Sequence, residues 1–345
     1  MAQLTIKDIA KICNVGVSTV SRAINNEPGI SDKTKERIMQ VVQEFHYIPN
    51  NSARNLKMVE SNTIALIVTG IDNIFFQSMF GQFEVELRKM GYDFLLHAVS
   101  WREDVVTVAT ELMKEKRLKG MILLGGQMER PEERLDALGI PYVLCTVAHS
   151  ADYPMPNCPW VGIDDELEGY HTVKYLIRMG HRDIALVAGQ EADNAVSAQR
   201  LAGYKRALQE AGIPFRPELV AFANPDVTDF SPENGYLGAK KLIASGVKFS
   251  AMFCMSDLIT VGAYKALDEA GIRVPQDCSV IGFDGIELSK YMCPGLTTMH
   301  QPIEEMVKSS VELLMQALDA GEKPKQKIYQ ATLIERDSVT KREES

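Results

Sequence analysis

The sequence predicts a small all-α head followed by a larger α/β body built on parallel sheets. Over the first 45 residues, three short segments carry apolar residues at helical spacing. From residue 62 onward, short apolar runs alternate with amphipathic segments, a pattern typical of parallel strands connected by helices. The chain has 345 residues, 46% of them hydrophobic, and is therefore long enough to bury more than one core.

Composition excludes several classes of protein. The 24 glycines and 15 prolines are close to average usage, which argues against a fibrous or disordered chain. The first residues lack the basic start and apolar run of a signal peptide, and no apolar stretch reaches the ~18 residues of a membrane helix. Six scattered cysteines form no CxxC pair and have no neighbouring histidine pattern. We therefore expect a cytoplasmic protein that keeps reduced thiols and holds no metal or cofactor.

Charge is distributed unevenly along the chain. The formal net charge is -9, which by itself disfavours a nucleic-acid partner. In the first sixty residues, however, eight lysines and arginines outnumber six acidic residues, so the acidic excess lies in the body. A mildly basic head on an acidic body is typical of a DNA-binding module joined to a domain that does not touch DNA. The excess is too small to decide the question alone.

The head contains three predicted helices. The first begins at Thr5 and Asp8, whose spacing matches a capping box. A turn at residues 14–16 separates it from a second helix at 17–24, and Ser31 caps the third helix. Together these segments predict a three-helix bundle in which two short helices meet across a tight turn. The apolar stripe of the third helix consists of Ile38, Val41, Val42 and Phe45.

The exposed face of the second helix suits insertion in the major groove of DNA. A helix in that groove needs short polar side chains that permit close approach, together with longer donors that reach the base edges. The guanidinium of Arg22 can donate two bonds to a guanine, and serine or threonine hydroxyls can bond phosphate oxygens. An ordinary solvated helix would more often carry glutamate and lysine. The residues of this face are Val17, Ser18, Thr19, Ser21 and Arg22.

Two segments of the head resemble the lactose/purine repressor family of bacterial regulators. They are TIKDIAKICNVGVSTVSRAIN, which starts at Thr5, and YIPNNSARNLK, which starts at Tyr47. The resemblance implies a helix-turn-helix domain over residues 1–46, whose second helix enters the major groove. It also implies a hinge over residues 47–60 that becomes helical only on DNA.

The resemblance also assigns DNA contacts. It places Leu56 in the minor groove, where the small Ala53 permits close approach; the alternative is an ordinary leucine packed between hinge and core. Gly16 departs from the family, in which many members have a serine helix cap, so a phosphate contact is expected to be missing there. The residues expected to contact DNA are Thr5, Val17, Ser18, Thr19, Ser21, Arg22, Asn25, Ser31, Asn50, Ala53 and Leu56.

Seven apolar runs predict strands in the body. Two segments, 87–96 and 176–187, each end a helix at Met-Gly and then begin a strand, which suggests two similar lobes. The predicted strands are Ile64–Val68, Phe94–His97, Met121–Leu124, Val143–Cys145, Ile184–Val187, Met252–Met255 and Val280–Phe283.

The body resembles the same family. This implies a periplasmic-binding-protein-like fold over residues 61–340, which serves effector binding and dimerisation and has two doubly wound lobes with the effector between them. In that fold the chain crosses between the lobes three times, and we expect crossings near Val161, Met292 and Lys325. The N-lobe then comprises 61–160 and 295–322, and the C-lobe 162–291 and 326–340.

Loops at the carboxyl ends of the strands are expected to hold the effector, because loops from both lobes converge there. Asp72, Phe75 and Phe76 follow the first predicted strand. The two rings can stack on a sugar or a base, while Asn73 or Asp72 bonds hydroxyls; the alternative is that each ring belongs to the core.

The resemblance assigns further effector contacts. Arg200 in AQRLAGY and Asp284 in GFDG match family positions that contact the effector; the alternative is an ion pair between the lobes without a ligand. Ser256 follows a strand at a similar place, whereas the neighbouring Asp257 is expected to be structural. Second-ranked residues at the edges of the cleft are Trp160, Asp164, Asp165, Asp193, Asn194, His300 and Gln301.

The sequence therefore predicts a DNA-binding transcription regulator, a repressor whose affinity for operator DNA is controlled by a small-molecule effector. A homodimer on a near-palindromic operator is expected, because only a short polar tail without leucine heptads follows Glu335. A sugar or sugar derivative is favoured and a nucleobase or nucleoside comes next; hexoses, sugar acids, phosphosugars and nucleosides all remain open. Induction and corepression are equally compatible with the sequence.

Two other classes of protein are disfavoured. A solute-binding protein of the same body fold would carry a signal peptide and would lack the basic head. An enzyme on a doubly wound scaffold would need a phosphate-binding glycine loop, a GxSxG elbow or a metal set. The run Gly125-Gly126-Gln127 is too short for such a loop, and the six histidines form no ligand cluster.

Overall fold

The computed structural model divides the chain into two compact units, Met1–Ser61 and Asn62–Ser345, which are called here the head and the body. The described residues are 5–24, 28–45, 62–101, 103–126, 128, 131–147, 157–190, 196–224, 226–319 and 325–342.

The described part of the head is a three-helix bundle, as predicted. Its core consists of buried residues that recur at helical spacing, among them Ile9, Val20 and Ile38. A long-range bond links the middle of the third helix to the end of the first, because the Arg37 guanidinium donates to the Cys13 carbonyl over 2.9 Å. The helices are α1 (Ile6–Ile12), α2 (Val17–Ile24) and α3 (Asp32–Glu44).

Side-chain caps fix where the helices of the head begin. The Asp8 carboxylate accepts the Thr5 hydroxyl over 2.6 Å and the Thr5 backbone N–H over 2.9 Å, and these bonds lower the pKa of Asp8. The Thr34 backbone N–H donates to the Ser31 hydroxyl over 3.3 Å at the start of α3. Phe45 differs from the prediction: it lies just beyond α3 and is 43% exposed, because the helix ends before that residue could complete the apolar stripe.

The N-lobe is a six-stranded parallel sheet with helices on both faces. Ile64, Leu66 and Val68 on its first strand pack into one apolar cluster, whereas Ala65 and Ile67 pack into another. Burial on both faces explains why these strands are continuously apolar instead of alternating. In chain order the elements are β1 (Thr63–Thr69), α4 (Ile74–Lys89), β2 (Asp93–Val99), α5 (Val105–Lys116), β3 (Gly120–Leu124), α6 (Pro131–Asp136), β4 (Tyr142–Cys145) and β5 (Trp160–Ile163).

The C-lobe follows with a second doubly wound sheet. The Met-Gly ends that were predicted for two helices are present, since α4 ends before Met90 and the helix at 165–178 ends before Met179. The elements from here to the end of the chain are α7 (Asp165–Arg178), β6 (Ile184–Val187), α8 (Val196–Glu210), β7 (Val220–Ala221), α9 (Pro232–Ala244), β8 (Ala251–Cys254), α10 (Asp257–Glu269), β9 (Ser279–Asp284), β10 (Thr297–His300), α11 (Ile303–Leu318), β11 (Gln326–Tyr329) and β12 (Thr332–Ile334). Of these, α11 and β11 belong to the N-lobe.

Strand order confirms two similar lobes with one addition. The N-lobe sheet runs β11-β5-β4-β3-β1-β2, and the C-lobe sheet runs β12-β10-β9-β8-β6-β7. All seven predicted strands are present, and their pairs are parallel. The prediction of parallel strands alone is wrong at one edge, because β12 pairs antiparallel with β10.

The three crossings between the lobes lie later in the chain than predicted. Because β5 pairs with β4, the first crossing follows Ile163 and not Val161. Since β10 belongs to the C-lobe sheet and β11 to the N-lobe sheet, the other crossings follow His300 and Tyr329. The predicted positions, which included Met292 and Lys325, mark the amino ends of these strands, where prolines interrupt the apolar pattern. The chain instead crosses at the carboxyl ends.

Helix length and hydropathy bear on membrane association. Within the described ranges, no helix is both long enough and apolar enough to span a bilayer. The described residues also contain no group of three or more histidine, cysteine, aspartate or glutamate side chains that could hold a metal ion.

Candidate effector site and DNA-reading helix

A buried arginine lies at the carboxyl ends of the C-lobe strands. The Nε and Nη2 of Arg200, on α8, both approach Oδ1 of Asp165 at 2.9 Å, and Nη1 lies 3.9 Å from Oδ1 of Asp284. Nη1 also donates to the Met255 carbonyl, just after β8. The residues are nearly inaccessible, at 4% for Arg200, 8% for Asp165 and 5% for Asp284. This is a buried, charge-assisted network at the strand ends.

Aromatic rings enclose the same guanidinium. Its central carbon lies 3.7 Å from the centroid of the Phe283 ring and 6.0 Å from that of Phe230. Stacking on Phe283 fixes the plane of the Arg200 side chain and adds a cation–π contribution in a desolvated setting. Arg200 is therefore presented in one orientation.

Asp284 ends β9 in an uncommon backbone conformation. Its φ is 107°, a region that side chains rarely adopt, and strain of this kind persists where the surroundings determine it. The Gln301 amide donates to its Oδ1 over 2.9 Å. Burial raises the pKa of Asp284 to about 7, against the opposing effects of Arg200 and Gln301. Burial likewise raises the pKa of Asp165, again opposed by Arg200.

The ion pair of Arg200 and Asp284 lies within one lobe. Arg200 is on α8, Asp165 on α7 and Asp284 at the end of β9, all in the C-lobe. The alternative interpretation, an ion pair that joins the two lobes, is therefore wrong. The first crossing between the lobes comes before Asp165, and this is why the residue lies on the C-lobe side.

Ser256 and Asp257 support the local structure. The Ser256 hydroxyl accepts the Ile259 backbone N–H over 3.1 Å and so caps α10. Asp257 is fully buried and accepts the Ile286 N–H over 2.9 Å and the Thr298 hydroxyl over 2.6 Å. Burial raises its pKa well above the usual range. These contacts are those of a structural carboxylate that ties two strand ends to a helix.

The predicted aromatic residues of the N-lobe separate into two environments. Phe75 is a core residue at 4% exposure, and Asp72 is exposed. Phe76 is half-buried and covers Gly125 after β3, where a Cβ would lie only 2.5 Å from the Phe76 Cζ. Only glycine permits this approach, and its φ of +67° also favours glycine. The ring of Phe76 thus lies at the carboxyl end of β3.

Several polar residues near the strand ends were not predicted from the sequence. Their buried atoms have no hydrogen-bond partner among the described residues. In the N-lobe they belong to Thr69 at the end of β1 and Thr146 after β4; in the C-lobe they belong to Gln190 after β6 and Ser197 on α8. A buried polar group without a partner is costly, so these atoms indicate a place where a ligand binds. For Thr69, Thr146 and Gln190 the signal in the sequence was their position at or just after a strand end; Ser197, on a helix, had no such signal.

The second-ranked residues of the cleft make mostly structural contacts. Asp164 caps α7 by accepting the Leu167 N–H over 2.9 Å. Trp160 is buried, and its indole N–H donates to the Val147 carbonyl over 2.7 Å. His300 approaches the Gly285 carbonyl at 3.2 Å. Of this group, Asp165 and Gln301 join the Arg200 network; Asp193 and Asn194 lie outside the described residues.

The face of α2 matches the prediction for a DNA-reading helix. Val20 and Ala23 are buried in the head, while Val17 is 41% exposed. Ser18 and Arg22 are exposed, and Thr19 and Ser21 are half-buried. The predicted contacts Asn25, Asn50, Ala53 and Leu56 lie outside the described residues.

A three-helix head with an exposed polar helix, joined to a two-lobed body with polar groups at the strand ends, defines a class: the ligand-responsive transcription regulators. Comparison with known proteins supplies the family. Residues 5–50 match the model of bacterial regulatory proteins of the lacI family, and residues 173–339 match a periplasmic binding protein-like domain. The chain belongs to the lacI family.

Relatives match over nearly the whole chain. The regulator MalR of Clostridium butyricum is 37% identical, over 97% of this chain and 99% of its own. The ribose operon repressor of Haemophilus influenzae is 33% identical, over 97% and 98%. A solved complex of the transcriptional regulator CelR with cellobiose has a TM-score of 0.72 at 27% identity, covering 97% of this chain and 100% of that one.

Family membership confirms the predicted class. The protein is a transcriptional repressor of the lacI family and is not an enzyme. A solute-binding protein without a transcriptional role is excluded by the helix-turn-helix match. Repressors of this family bind operator DNA, dimerise and respond to small-molecule effectors, as was predicted for this chain.

Proposed function

We propose that this repressor acts in the cytoplasm and that a sugar bound between its two lobes controls its affinity for a near-palindromic operator. The observation that carries the proposal is a set of buried polar atoms near the strand ends of both lobes that have no partner among the described residues. They belong to Thr69, Thr146, Gln190 and Ser197, and the rigid Arg200 network lies at the C-lobe strand ends.

The chemistry of these groups favours a ligand rich in hydroxyls. A buried polar group without a partner costs roughly 1–3 kcal/mol, which a ligand that bonds it recovers. Sugar hydroxyls both donate and accept, so they can satisfy hydroxyl, amide and carboxylate partners at once. The rings of Phe76 and Phe230 supply apolar surface against which a sugar or a base can stack.

The relatives support a sugar as the effector. One relative is a ribose operon repressor, and the CelR structure contains cellobiose. A nucleoside is the second candidate, because Phe230 beside Arg200 offers an aromatic face of the kind that stacks a base.

Control of DNA binding requires that the sugar prefer one arrangement of the lobes. A ligand shifts an equilibrium only by its differential affinity for the two states. The chain crosses between lobes after Ile163, His300 and Tyr329, and residues close to these crossings bind one another in the Arg200 network. A ligand held by that network therefore favours one angle between the lobes. If that angle weakens operator binding the ligand is an inducer, and if it strengthens operator binding the ligand is a corepressor.

A thermal-shift panel on the full chain tests the proposal. A sugar at about 100 times its Kd stabilises the folded protein by ~2.7 kcal/mol, and the melting temperature rises accordingly. Arg200→Ala should abolish the shift, whereas Arg206→Ala, an exposed arginine on the same helix, should retain it. Circular dichroism confirms that both variants fold.

The outcomes of this panel separate the candidates. A shift with ribose, glucose, maltose or cellobiose supports the sugar, and a shift confined to nucleosides or purines replaces it with the second candidate. A shift that survives in Arg200→Ala places the effector elsewhere.

A further inference from the structure

We infer that the effector is uncharged where it meets the C-lobe, and that Asp229 is the residue that excludes anionic ligands from this site. The inference rests on the proposed function and goes beyond it, since it divides neutral sugars from sugar acids and sugar phosphates. It is carried by the count of charges at the strand ends and by the position of one carboxylate.

The arginine at this edge of the C-lobe is already paired with carboxylates. Asp165 and Asp284 are buried carboxylates beside Arg200, and Asp229 is a half-buried carboxylate next to Phe230, whose ring centroid lies 6.0 Å from the guanidinium carbon of Arg200. Arg200 bonds Asp165 with two nitrogens and lies 3.9 Å from Asp284. A third donor direction is taken by the Met255 carbonyl. The described residues therefore leave no cation here to compensate an incoming carboxylate or phosphate.

Asp229 lies against the chain directly after β6. A Cβ added to Gly189 would lie 2.6 and 2.8 Å from the two carboxylate oxygens of Asp229, and 2.1 Å from the Ser197 hydroxyl. The carboxylate and the hydroxyl therefore converge on one glycine, and neither could approach if a side chain stood there. Ser197 is one helical turn before Arg200 on α8, so this pair is continuous with the arginine network.

Among the described residues, Asp229 has fewer donors than its carboxylate can accept. Its carboxylate accepts the backbone N–H groups of Gln190 and Phe230, although two ionised oxygens offer about four acceptor positions. Beside it, the Ser197 hydroxyl and the Gln190 amide nitrogen have no partner among the described residues, and Ser197 is 3% exposed. Spare acceptors next to spare donors match adjacent hydroxyls on a neutral polyol.

An anionic ligand does not match these acceptors and donors. It brings acceptors where Asp229 needs a donor, and it adds a negative charge beside the Asp229 carboxylate. Burial already raises the pKa of both Asp229 and Asp165, which shows how poorly this environment tolerates negative charge. In such a poorly hydrated setting, like charges repel strongly, and we expect at least about a hundredfold weaker binding of the anion.

Calorimetric titration of the full chain with matched pairs of sugars tests the inference. Each pair is a neutral sugar and its charged derivative: ribose and ribose 5-phosphate, glucose and glucose 6-phosphate, glucose and glucuronate. The neutral member of a pair should bind, and its anionic partner should bind at least about a hundredfold more weakly.

A charge-neutral variant assigns the selectivity to one residue. Asp229→Asn keeps the size and one acceptor for the backbone N–H groups, but removes the charge. The variant should lose about tenfold in affinity for the neutral sugar, because a bond to a charged acceptor becomes a bond to a neutral one. It should also reduce the discrimination against the anion by at least about tenfold. Asp226→Asn, at an exposed residue of the same loop, is the control and should change neither value.

Each outcome decides a different claim. Equal or tighter binding of a charged derivative overturns the inference and leaves sugar control intact. Unaltered discrimination in Asp229→Asn removes that residue from the role. If no sugar of the panel binds, the proposed function itself is contradicted.

Ser197→Ala is a second variant that tests the same cluster if Asp229→Asn does not fold. Because the Ser197 hydroxyl has no partner among the described residues, its removal should leave the melting temperature unchanged or raise it, since an unsatisfied buried polar group is lost. The affinity for the neutral sugar should nevertheless fall. A lower melting temperature with unchanged affinity would show a structural hydroxyl and contradict the proposed cluster.

Discussion

Arg200 is a buried cation whose charge is balanced inside a single lobe. Its partners Asp165 and Asp284 come from different elements, α7 and β9, so the network joins a helix pair to the central sheet. A buried ion pair adds little net stability when it is complete, but removing one partner leaves an uncompensated charge. The network therefore fixes geometry at the strand ends more than it stabilises the fold.

Asp165→Asn tests this account at the residue scale. The substitution keeps the shape but leaves Arg200 with only Asp284 at 3.9 Å, so the free energy of unfolding should fall by about 3 kcal/mol. Urea denaturation measures the loss. Glu166→Gln is the control, because Glu166 is exposed and faces Arg206 at 3.8 Å, and it should cost no more than ~0.5 kcal/mol. Equal effects of the two substitutions would contradict the buried network.

The carboxyl of Asp284 makes stability depend on pH. Burial raises its pKa from the ordinary 3.8 to about 7, so the folded chain binds this proton more tightly than the unfolded chain. Its contribution to stability is present below the ordinary pKa, is lost as pH rises toward 7, and is constant above that. Asp284→Asn removes this dependence. The advantage of the variant over the natural chain should therefore grow between pH 5 and pH 7.

Urea denaturation at a series of pH values measures this difference. Asp277→Asn is the matched control, since the pKa of Asp277 is lowered to about 2 by Arg273 and it does not titrate in that interval. Parallel profiles for the natural chain and Asp284→Asn would show that Asp284 keeps an ordinary pKa.

At the scale of the element, the helix pair α7 and α8 sets the distance between Asp165 and Arg200. The two helices approach so closely that a Cβ on Gly203 would lie 2.1 Å from the Glu166 carbonyl oxygen. A side chain at this position must push the helices apart, because the atoms it would meet are backbone atoms of α7, which cannot rotate out of the way. The glycine thus permits the close crossing on which the arginine network depends.

Gly203→Ala should weaken both the fold and the site. We expect a loss of about 3 kcal/mol in the free energy of unfolding, since overpacking of this size strains the backbone. Gly81→Ala in α4 is the control: an added Cβ meets open space there, and the gain in helix propensity is about 0.5–1 kcal/mol. Urea denaturation of both variants separates the predictions, and a Gly203→Ala variant as stable as the natural chain would contradict the close crossing.

The sequence revealed the elements better than their boundaries. Continuous apolar runs identified seven strands, six of them buried on both faces; β2, at the edge of the N-lobe sheet, is largely half-buried. β5 and β10 were not predicted, since each is short and comes after a proline. The crossings between the lobes were therefore predicted too early in the chain. The antiparallel β12 depends on a return of the chain that no local pattern shows.

The site was visible only in part for a similar reason. Arg200 and Asp284 were found because they match family motifs. Asp229 and Ser197 were missed because they are 32 residues apart and resemble ordinary loop and helix-start residues until the fold brings both to Gly189. Phe75 and Phe76 are adjacent in sequence, and only packing distinguishes a core ring from one at a strand end.

At the scale of the whole molecule, DNA reading and effector binding belong to separate compact units. The head, Met1–Ser61, carries the basic residues of α2 and α3, and the body carries the acidic excess and the Arg200 network. Control of one unit by the other is a coupling free energy, typically 1–3 kcal/mol, or about 5- to 150-fold in affinity. Substitutions in each unit should therefore have separable effects.

An operator titration with and without the sugar tests the central claim most directly. The full chain is titrated into a fluorescent near-palindromic duplex that it has selected from a random library, at zero and at saturating sugar. The natural chain should change its operator Kd by at least about fivefold. Arg22→Ala should lose specific binding yet keep the thermal shift with sugar, and Arg200→Ala should bind operator without responding. An operator Kd that is the same at zero and saturating sugar would contradict the account.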